Sequence, residues 1–222
     1  MISSNYEKKF TDLINNELVS VSESFARKIF FNWQNIEIDK IIFTKESIYS
    51  SSRSRGSKRL IEIIKNHIVD TDITITDATA NIGTDTINLS SVFSKINAIE
   101  ISELNYYALQ NNIKLFNCDD KVTTYLGDSN LVIKKLKQDI IYVDAPWGGP
   151  EYKQTDNIKL YLGNVEIFDF YLENIDRATM FIFKVPINYD FDYLKNKVKN
   201  EIHKYTYKKG DIIKYYLLIL LK

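Results

Sequence analysis

Residues 142 to 152, Tyr-Val-Asp-Ala-Pro-Trp-Gly-Gly-Pro-Glu-Tyr, deliver an acid, a proline, an indole and two glycines into one loop. Ile140, Ile141, Tyr142 and Val143 predict a buried strand, so Asp144 to Trp147 fall at its carboxyl end, where open α/β sheets bind ligands. Gly148 and Gly149 let the backbone turn sharply and come close to a ligand. These residue types suit work on an exocyclic base amine. Carbonyls before and at a rigid proline accept its hydrogen bonds, and an aromatic face holds the planar ring. Asp144, Ala145, Pro146 and Trp147 are therefore the catalytic candidates.

A second constellation lies upstream. Asp77-Ala78-Thr79-Ala80-Asn81-Ile82-Gly83-Thr84-Asp85-Thr86-Ile87 sits where a strand turns into a helix, and its small residues admit a ligand to the backbone. It holds one glycine where a dinucleotide fingerprint has three, which argues against a phosphate cradle. Glu100 ends the next strand, where an acid can accept both hydroxyls of a ribose. Asp128 ends the third, within reach of an adenine amine. Each acid alone reads as a solvated carboxylate; together they occupy successive strand ends of one cleft.

The elements that must position these residues follow from periodicity. Phe10, Leu13, Ile14 and Leu18, then Phe25, Ile29 and Phe30, recur at helical spacing, with Ser22 or Ser24 placed to cap a second helix. The polar stretch 41–54 reads as a linker or a loop that orders on binding, and a helix follows from about Ser57. Runs at 73–76, 96–101, 122–126, 140–143 and 180–185 predict five strands, and 212–221 a final strand or hairpin arm. Strands alternating with helical segments imply a doubly wound α/β sheet with right-handed crossovers. His67 is expected to end a helix and His203 to lie in a helical, lysine-rich stretch, both as surface residues.

Composition sets bounds. At 222 residues the chain suffices for one sizeable α/β domain with an appendage, and the division expected is 1–54 and 55–222. Lys plus Arg (29) equals Asp plus Glu (29), so any nucleic-acid site is a local patch. A single cysteine excludes an internal disulfide and a cysteine-rich zinc site, and no metal is called for. Neither a signal peptide nor a membrane span is visible, so an intracellular protein, cytoplasmic or nuclear, is expected. Abundant Asn, Ile, Lys and Tyr suggest an AT-rich coding genome, a viral one included.

The loop at 144–152 resembles the Pro-Pro-Trp-Gly-Gly-Pro-Asp-Tyr signature of trimethylguanosine synthases, which methylate the N2 amine of a 7-methylguanosine RNA cap. Pro146, Trp147, Gly148, Gly149, Pro150 and Tyr152 match, Glu151 is conservative, and Asp144-Ala145 departs from the pattern. The acids Asp77, Glu100, Asp128 and Asp144 likewise resemble the motif series of class I S-adenosylmethionine-dependent methyltransferases. The resemblance spans about 55–222 and implies a Rossmann-like seven-stranded sheet with helices on both faces and a short N-terminal helical extension. It implies S-adenosylmethionine as cofactor, held by Asp77, Thr79, Ala80, Gly83, Thr86, Glu100, Ile101 and Asp128. It implies capped RNA as partner, with Trp147 stacking on the cap and Tyr152 touching its phosphates. Lys58, Lys184 and Asn188 complete the substrate-contact candidates; at least two of Arg53, Arg55, Lys58 and Arg59 read as a solvated helix entry. The family carries more glycine after Asp77-Ala78 than this chain does.

Three other readings compete. A ribose 2′-O-methyltransferase needs a lysine base and orienting acids. The Ser52–Lys58 segment, Asp144 and Lys184 resemble three parts of a Lys-Asp-Lys-Glu set, while its glutamate has no match at Ile212-Ile213-Lys214. A methyltransferase-like subunit without cofactor affinity would fit the glycine-poor loop. A base-amine enzyme of DNA or ribosomal RNA would fit a similar aromatic loop.

Overall fold

A computed structural model describes residues 11, 13, 14, 16–31 and 36–222, so Phe10, assigned to a helix by its spacing, lies outside the described residues. Apolar runs rich in β-branched and aromatic residues form most of the strands. These are Thr74–Asp77 (β1), Lys95–Glu100 (β2), Val122–Leu126 (β3), Ile140–Val143 (β4), Met180–Pro186 (β5), Ile202–Lys209 (β6) and Ile212–Leu221 (β7). They make one seven-stranded sheet in the order β6-β7-β5-β4-β1-β2-β3. Strands β1 to β5 pair in parallel, and β7 runs antiparallel to both β5 and β6.

Alternation along the strands feeds two cores. Ile140 and Tyr142 of β4 enter one face with Ile29, Leu60, Ile87 and Leu109, from helices Glu23–Ile29 (α1), Ser54–His67 (α2), Thr84–Ser90 (α3) and Glu103–Leu115 (α4). Ile141 and Val143 enter the other with Phe168, Phe170 and Leu194, from Ile167–Asn174 (α5) and Phe191–Lys197 (α6). The chain leaves β1 towards β2 and β3, then returns to β4 on the opposite side of β1. That reversal opens a crevice above the adjacent ends of β1 and β4, where ligands bind in such sheets.

The N-terminal part holds three departures from expectation. Leu18 leaves the helical pattern and, with Val19, pairs with Phe43 and Thr44 in a two-stranded sheet. Residues 41–54 are not a linker: Thr44 and Ser47 are buried, a helical turn covers Ser47–Ser50, and α2 already begins at Ser54. Their polar groups are satisfied internally, since Thr44 Oγ1 donates to Asn105 Oδ1 at 2.9 Å and Ser47 Oγ accepts from the Thr44 amide at 2.9 Å. Ser22 does cap α1, accepting from the Phe25 amide at 3.3 Å.

His203 is in strand β6, not a helix. On this edge strand Lys204, Thr206 and Lys208 are exposed, while His203, Tyr205 and Tyr207 are half-buried. Solvated lysines protect an edge from further pairing, which explains a lysine-rich strand. His67 ends α2 as expected, with its ring 5.4 Å from that of His203 and its Nε2 2.8 Å from the Tyr205 hydroxyl.

Candidate active site

A buried polar network lies beneath the Asp144–Trp147 turn. Lys184 interrupts the otherwise apolar strand β5 and, at 8% exposure, must have a partner. Its Nζ donates to Asp144 Oδ2 at 2.6 Å and to Ser52 Oγ at 2.8 Å. Ser52 in turn donates to Asp85 Oδ2 at 2.5 Å, and Asp85 also accepts from Ser57 at 2.6 Å and from the Tyr142 hydroxyl at 3.0 Å. Burial alone would lower the Lys184 ammonium, but the carboxylates of Asp144 and Asp85 outweigh it and hold it above its ordinary value. Burial raises the Asp144 carboxyl above the usual carboxylate range, with Lys184 opposing. The Asp144 amide donates to Thr79 Oγ1 at 2.8 Å, so the residue that opens the turn is held through both its backbone and its side chain.

Trp147 follows, half-buried against both cores. Its ring meets Tyr152 edge-on at 5.1 Å and 76°, and Tyr215 at 6.4 Å and 63°. The Lys184 ammonium stands 5.0 Å from the Tyr215 ring centroid and 5.9 Å from that of Trp147. Gly148 and Gly149 adopt φ of 89° and 76°, the left-handed region that a sharp turn after the indole requires. Among the described residues Trp147 Nε1 is buried with no hydrogen-bond partner, an open donor inside the site. Asn188 donates to the Tyr152 carbonyl at 2.7 Å and the Thr155 carbonyl at 2.5 Å, so it anchors the segment carrying Tyr152. Gly56 of α2 packs so close to Tyr215 that an added Cβ would stand 2.5 Å from its hydroxyl. A side chain there would displace the Tyr215 hydroxyl.

The crevice above β1 to β3 carries the acids. Asp77 is buried, accepting from Thr86 Oγ1 at 2.7 Å and the Thr79 amide at 3.2 Å. Burial raises its carboxyl to about 7, against those two hydrogen bonds and with the charges of Asp85 and Asp144. Glu100 accepts from the Asn81 amide at 2.8 Å and the Ser102 amide at 2.7 Å, and burial again raises its carboxyl. Asp128 accepts from the Asn130 amide at 2.9 Å, while Asn130 Oδ1 is buried without a partner among the described residues. Ala80 is buried and Ile101 is exposed at the end of β2. Asn81 takes φ 50° and Gly83 φ 93°. Asparagine tolerates the left-handed region, so the loop turns here with fewer glycines.

Of the residues singled out from sequence, the structure gathers Asp77, Thr79, Thr86, Asp144, Trp147, Tyr152 and Lys184 around the β1–β4 crevice, and Glu100 and Asp128 beside it. Lys58 is not joined to that network by any contact among the described residues; it is exposed, 5.2 Å from the Phe31 ring centroid. Ser52, Ser57, Asp85, Tyr142 and Tyr215 were not assigned roles from sequence. The sequence signal that could have found the acceptors among them is Lys184: a cation in a buried strand demands carboxylates and acceptors.

The chemistry of this donor set fits a nucleoside-bearing cation, with acids at three successive strand ends and small residues between. Comparison with known proteins agrees. Residues 73–218 match the family described as RNA cap guanine-N2 methyltransferase. A protein of Acanthamoeba polyphaga mimivirus is 32% identical over 90% of this chain and 86% of its own length. The trimethylguanosine synthase of Saccharomyces cerevisiae is 24% identical over 84% of this chain and 64% of its own, so the chain spans less than two thirds of that relative. The solved structure of human methyltransferase 10 domain containing protein superposes with a TM-score of 0.61 at 12% identity, covering 89% of this chain and 92% of that one. That likeness is one of fold. With a matching family model over most of its length, this chain belongs to the RNA cap guanine-N2 methyltransferase family and is an S-adenosylmethionine-dependent methyltransferase.

Proposed function

We infer that the protein methylates the exocyclic N2 amine of a 7-methylguanosine cap on RNA. The observation that carries this reading is the turn at Asp144–Trp147, whose first residue is held by Lys184 and Thr79 and whose last is an indole set between Tyr152 and Tyr215. A 7-methylguanine ring is cationic, and stacking on an indole favours it over neutral guanine by roughly 0.5–2 kcal/mol. Lys184 engages Asp144 Oδ2, which leaves Oδ1 and the carbonyls of Asp144 and Ala145 to hold the amine. Pro146 stiffens that turn. Orientation of the amine supplies most of the rate, and no strong base is needed before the attack.

S-adenosylmethionine, when bound, supplies the electrophilic methyl group. Glu100 and Ile101 would hold its ribose, Asp128 its adenine, and Asp77, Thr79, Ala80, Gly83 and Thr86 its methionine part. The loop's left-handed Asn81 supports cofactor binding over the non-catalytic reading. Tyr152, Lys184 and Asn188 are the substrate-side contacts, Asn188 through the segment it anchors and Lys184 through Asp144. Lys58, standing against Phe31, is the weakest of the substrate candidates.

The Lys184–Asp144 pair is also the one observation that favours a ribose 2′-O-methyltransferase. That chemistry needs a lysine able to give up its proton near neutrality. Two carboxylates hold Lys184 in the opposite direction. Incubation with labelled cofactor and GTP, 7-methyl-GTP or 7-methyl-capped RNA, then digestion and identification of the methylated atom, tests both. Methyl on guanine N2, with 7-methyl substrates preferred, is the expected result; methyl on a ribose oxygen, or GTP used equally well, overturns it. The same assay counts whether one or two methyl groups are added.

Two further outcomes are expected. Glu100→Gln should weaken cofactor binding by roughly 1.5–3 kcal/mol, the value of hydrogen bonds to a charged group. Calorimetry reads this, and unchanged affinity removes Glu100 from the ribose site. Cofactor affinity should also rise as pH increases through about 7, because ionised Asp77 attracts the cationic sulfonium and ammonium while its protonated form does not. In Asp77→Asn that pH dependence should vanish; its persistence would assign the titration elsewhere.

A further inference from the structure

The sheet edge beyond Trp147 carries a second feature. Helix α2 and edge strand β6 enclose a groove with a cavity volume of about 410 Å³, lined by Arg55, Arg59, Glu62, Thr206, Tyr207 and Lys208. Tyr207 lies flat on Tyr215, with centroids 4.5 Å apart and planes at 11°, and Tyr215 meets Trp147. A run of aromatic rings therefore leads from the indole into the groove. Tyr207 is half-buried, lines the groove and has one ring face covered by Tyr215.

Charge points the same way. Arg59 pairs with Glu62 at 3.2 Å, but among the described residues no carboxylate lies within ion-pair distance of Arg55 or Lys208. In a chain whose Lys plus Arg (29) equals its Asp plus Glu (29), this is a local excess, not a background. Cations flanking an aromatic plane in an open groove are what single-stranded nucleic acid requires: phosphates on the cations, a base on the ring.

We propose that the α2–β6 groove binds the transcribed nucleotides that follow the cap, with Arg55, Arg59 and Lys208 on their phosphates and a base stacked on Tyr207. This rests on the cap reading above and extends it from the methylated base to the RNA body. Among the described residues neither Arg55 nor Arg59 bonds to the Asp144–Lys184 network, so their loss should leave chemistry on a free cap nucleotide intact.

The experiment compares 7-methyl-GTP with a short 7-methyl-capped oligoribonucleotide in wild type, in the double variant Arg55→Gln/Arg59→Gln and in Tyr207→Ala. Wild type should use the capped oligonucleotide better than 7-methyl-GTP. The arginine variant should lose about tenfold or more in kcat/KM on the oligonucleotide and nothing on 7-methyl-GTP. Its binding should lose about 1.4 units of slope in log affinity against log salt, at about 0.7 for each single-strand phosphate contact. Tyr207→Ala should lose on the oligonucleotide by the worth of a stacked base, about 5- to 150-fold. Equal loss on both substrates, or no wild-type preference for the oligonucleotide, overturns the groove assignment and leaves the cap reading standing. Anisotropy with the same oligonucleotide, capped and uncapped, separates the two ideas. If no cap nucleotide is methylated but the arginine variant still loses affinity and salt slope, the groove assignment holds and the cap reading fails. If affinity and slope do not change, the groove is not an RNA site.

Discussion

Replacing Trp147 by alanine is expected to abolish measurable turnover on 7-methyl-GTP while leaving cofactor affinity nearly unchanged. A stacked base is worth about 1–3 kcal/mol on an aromatic platform, and the positive charge of the 7-methyl ring adds to it on an indole. The indole also braces its surroundings, because Tyr152 and Tyr215 both abut it. Its loss therefore removes the platform and loosens the Asp144–Pro146 turn that presents the amine acceptors. Trp147→Phe should retain a measurable fraction, since a smaller ring still stacks. Steady-state kinetics on 7-methyl-GTP together with calorimetric cofactor titration checks this. An alanine variant as active as wild type would make Trp147 a packing residue, and a matching loss of cofactor affinity would make it a structural one.

Lys184→Met should be the most destabilising single change in the site. It strips the buried Asp144 carboxylate of its partner, a change that typically costs 3–5 kcal/mol, or roughly 6–20 °C in Tm for a chain of this size. Side-chain exposures of 9% for Lys184 and 17% for Asp144 place the pair well out of solvent. The loss should depend on pH in a defined sense. Burial already raises the Asp144 carboxyl in the folded protein, and removing the ammonium raises it further. A folded-state acid titrating above its unfolded value favours the native state when protonated, so the deficit should shrink on acidification and be largest above the carboxylate range. Combining Lys184→Met with Asp144→Ser should lose less than the two single changes added together, since neither charge is then stranded. Thermal denaturation at several pH values reads all three variants. A Lys184→Met protein as stable as wild type at neutral pH would show that the pair contributes nothing to the fold.

The loop that carries the proposed chemistry was legible from local composition. The chain has only 3 prolines and 2 tryptophans, and two of the prolines and one indole fall within five residues, 146–150, each with a narrow backbone or ring role. The parallel strands were legible for a similar reason: β-branched runs such as Ile140–Val143 are buried on both faces and need no partner to be recognised. Polarity misled where it was internally satisfied. Residues 41–54 look like a linker because they are polar around Ile48-Tyr49 and then rich in serine and arginine, yet Thr44 and Ser47 bond to each other, and Thr44 to Asn105, inside the fold. Lysines misled at His203, because spacing alone did not distinguish an edge strand's solvated face from that of a helix. What only the tertiary structure decided is the partner of each buried charge. Ser52 and Lys184 are 132 residues apart in sequence, and Asp144 and Lys184 are 40 apart. Local propensity acts over a few residues, whereas a buried ammonium selects its carboxylate by distance in space. The sheet order, with β4 and β5 as neighbours, is what brings Asp144 and Lys184 within 2.6 Å of each other.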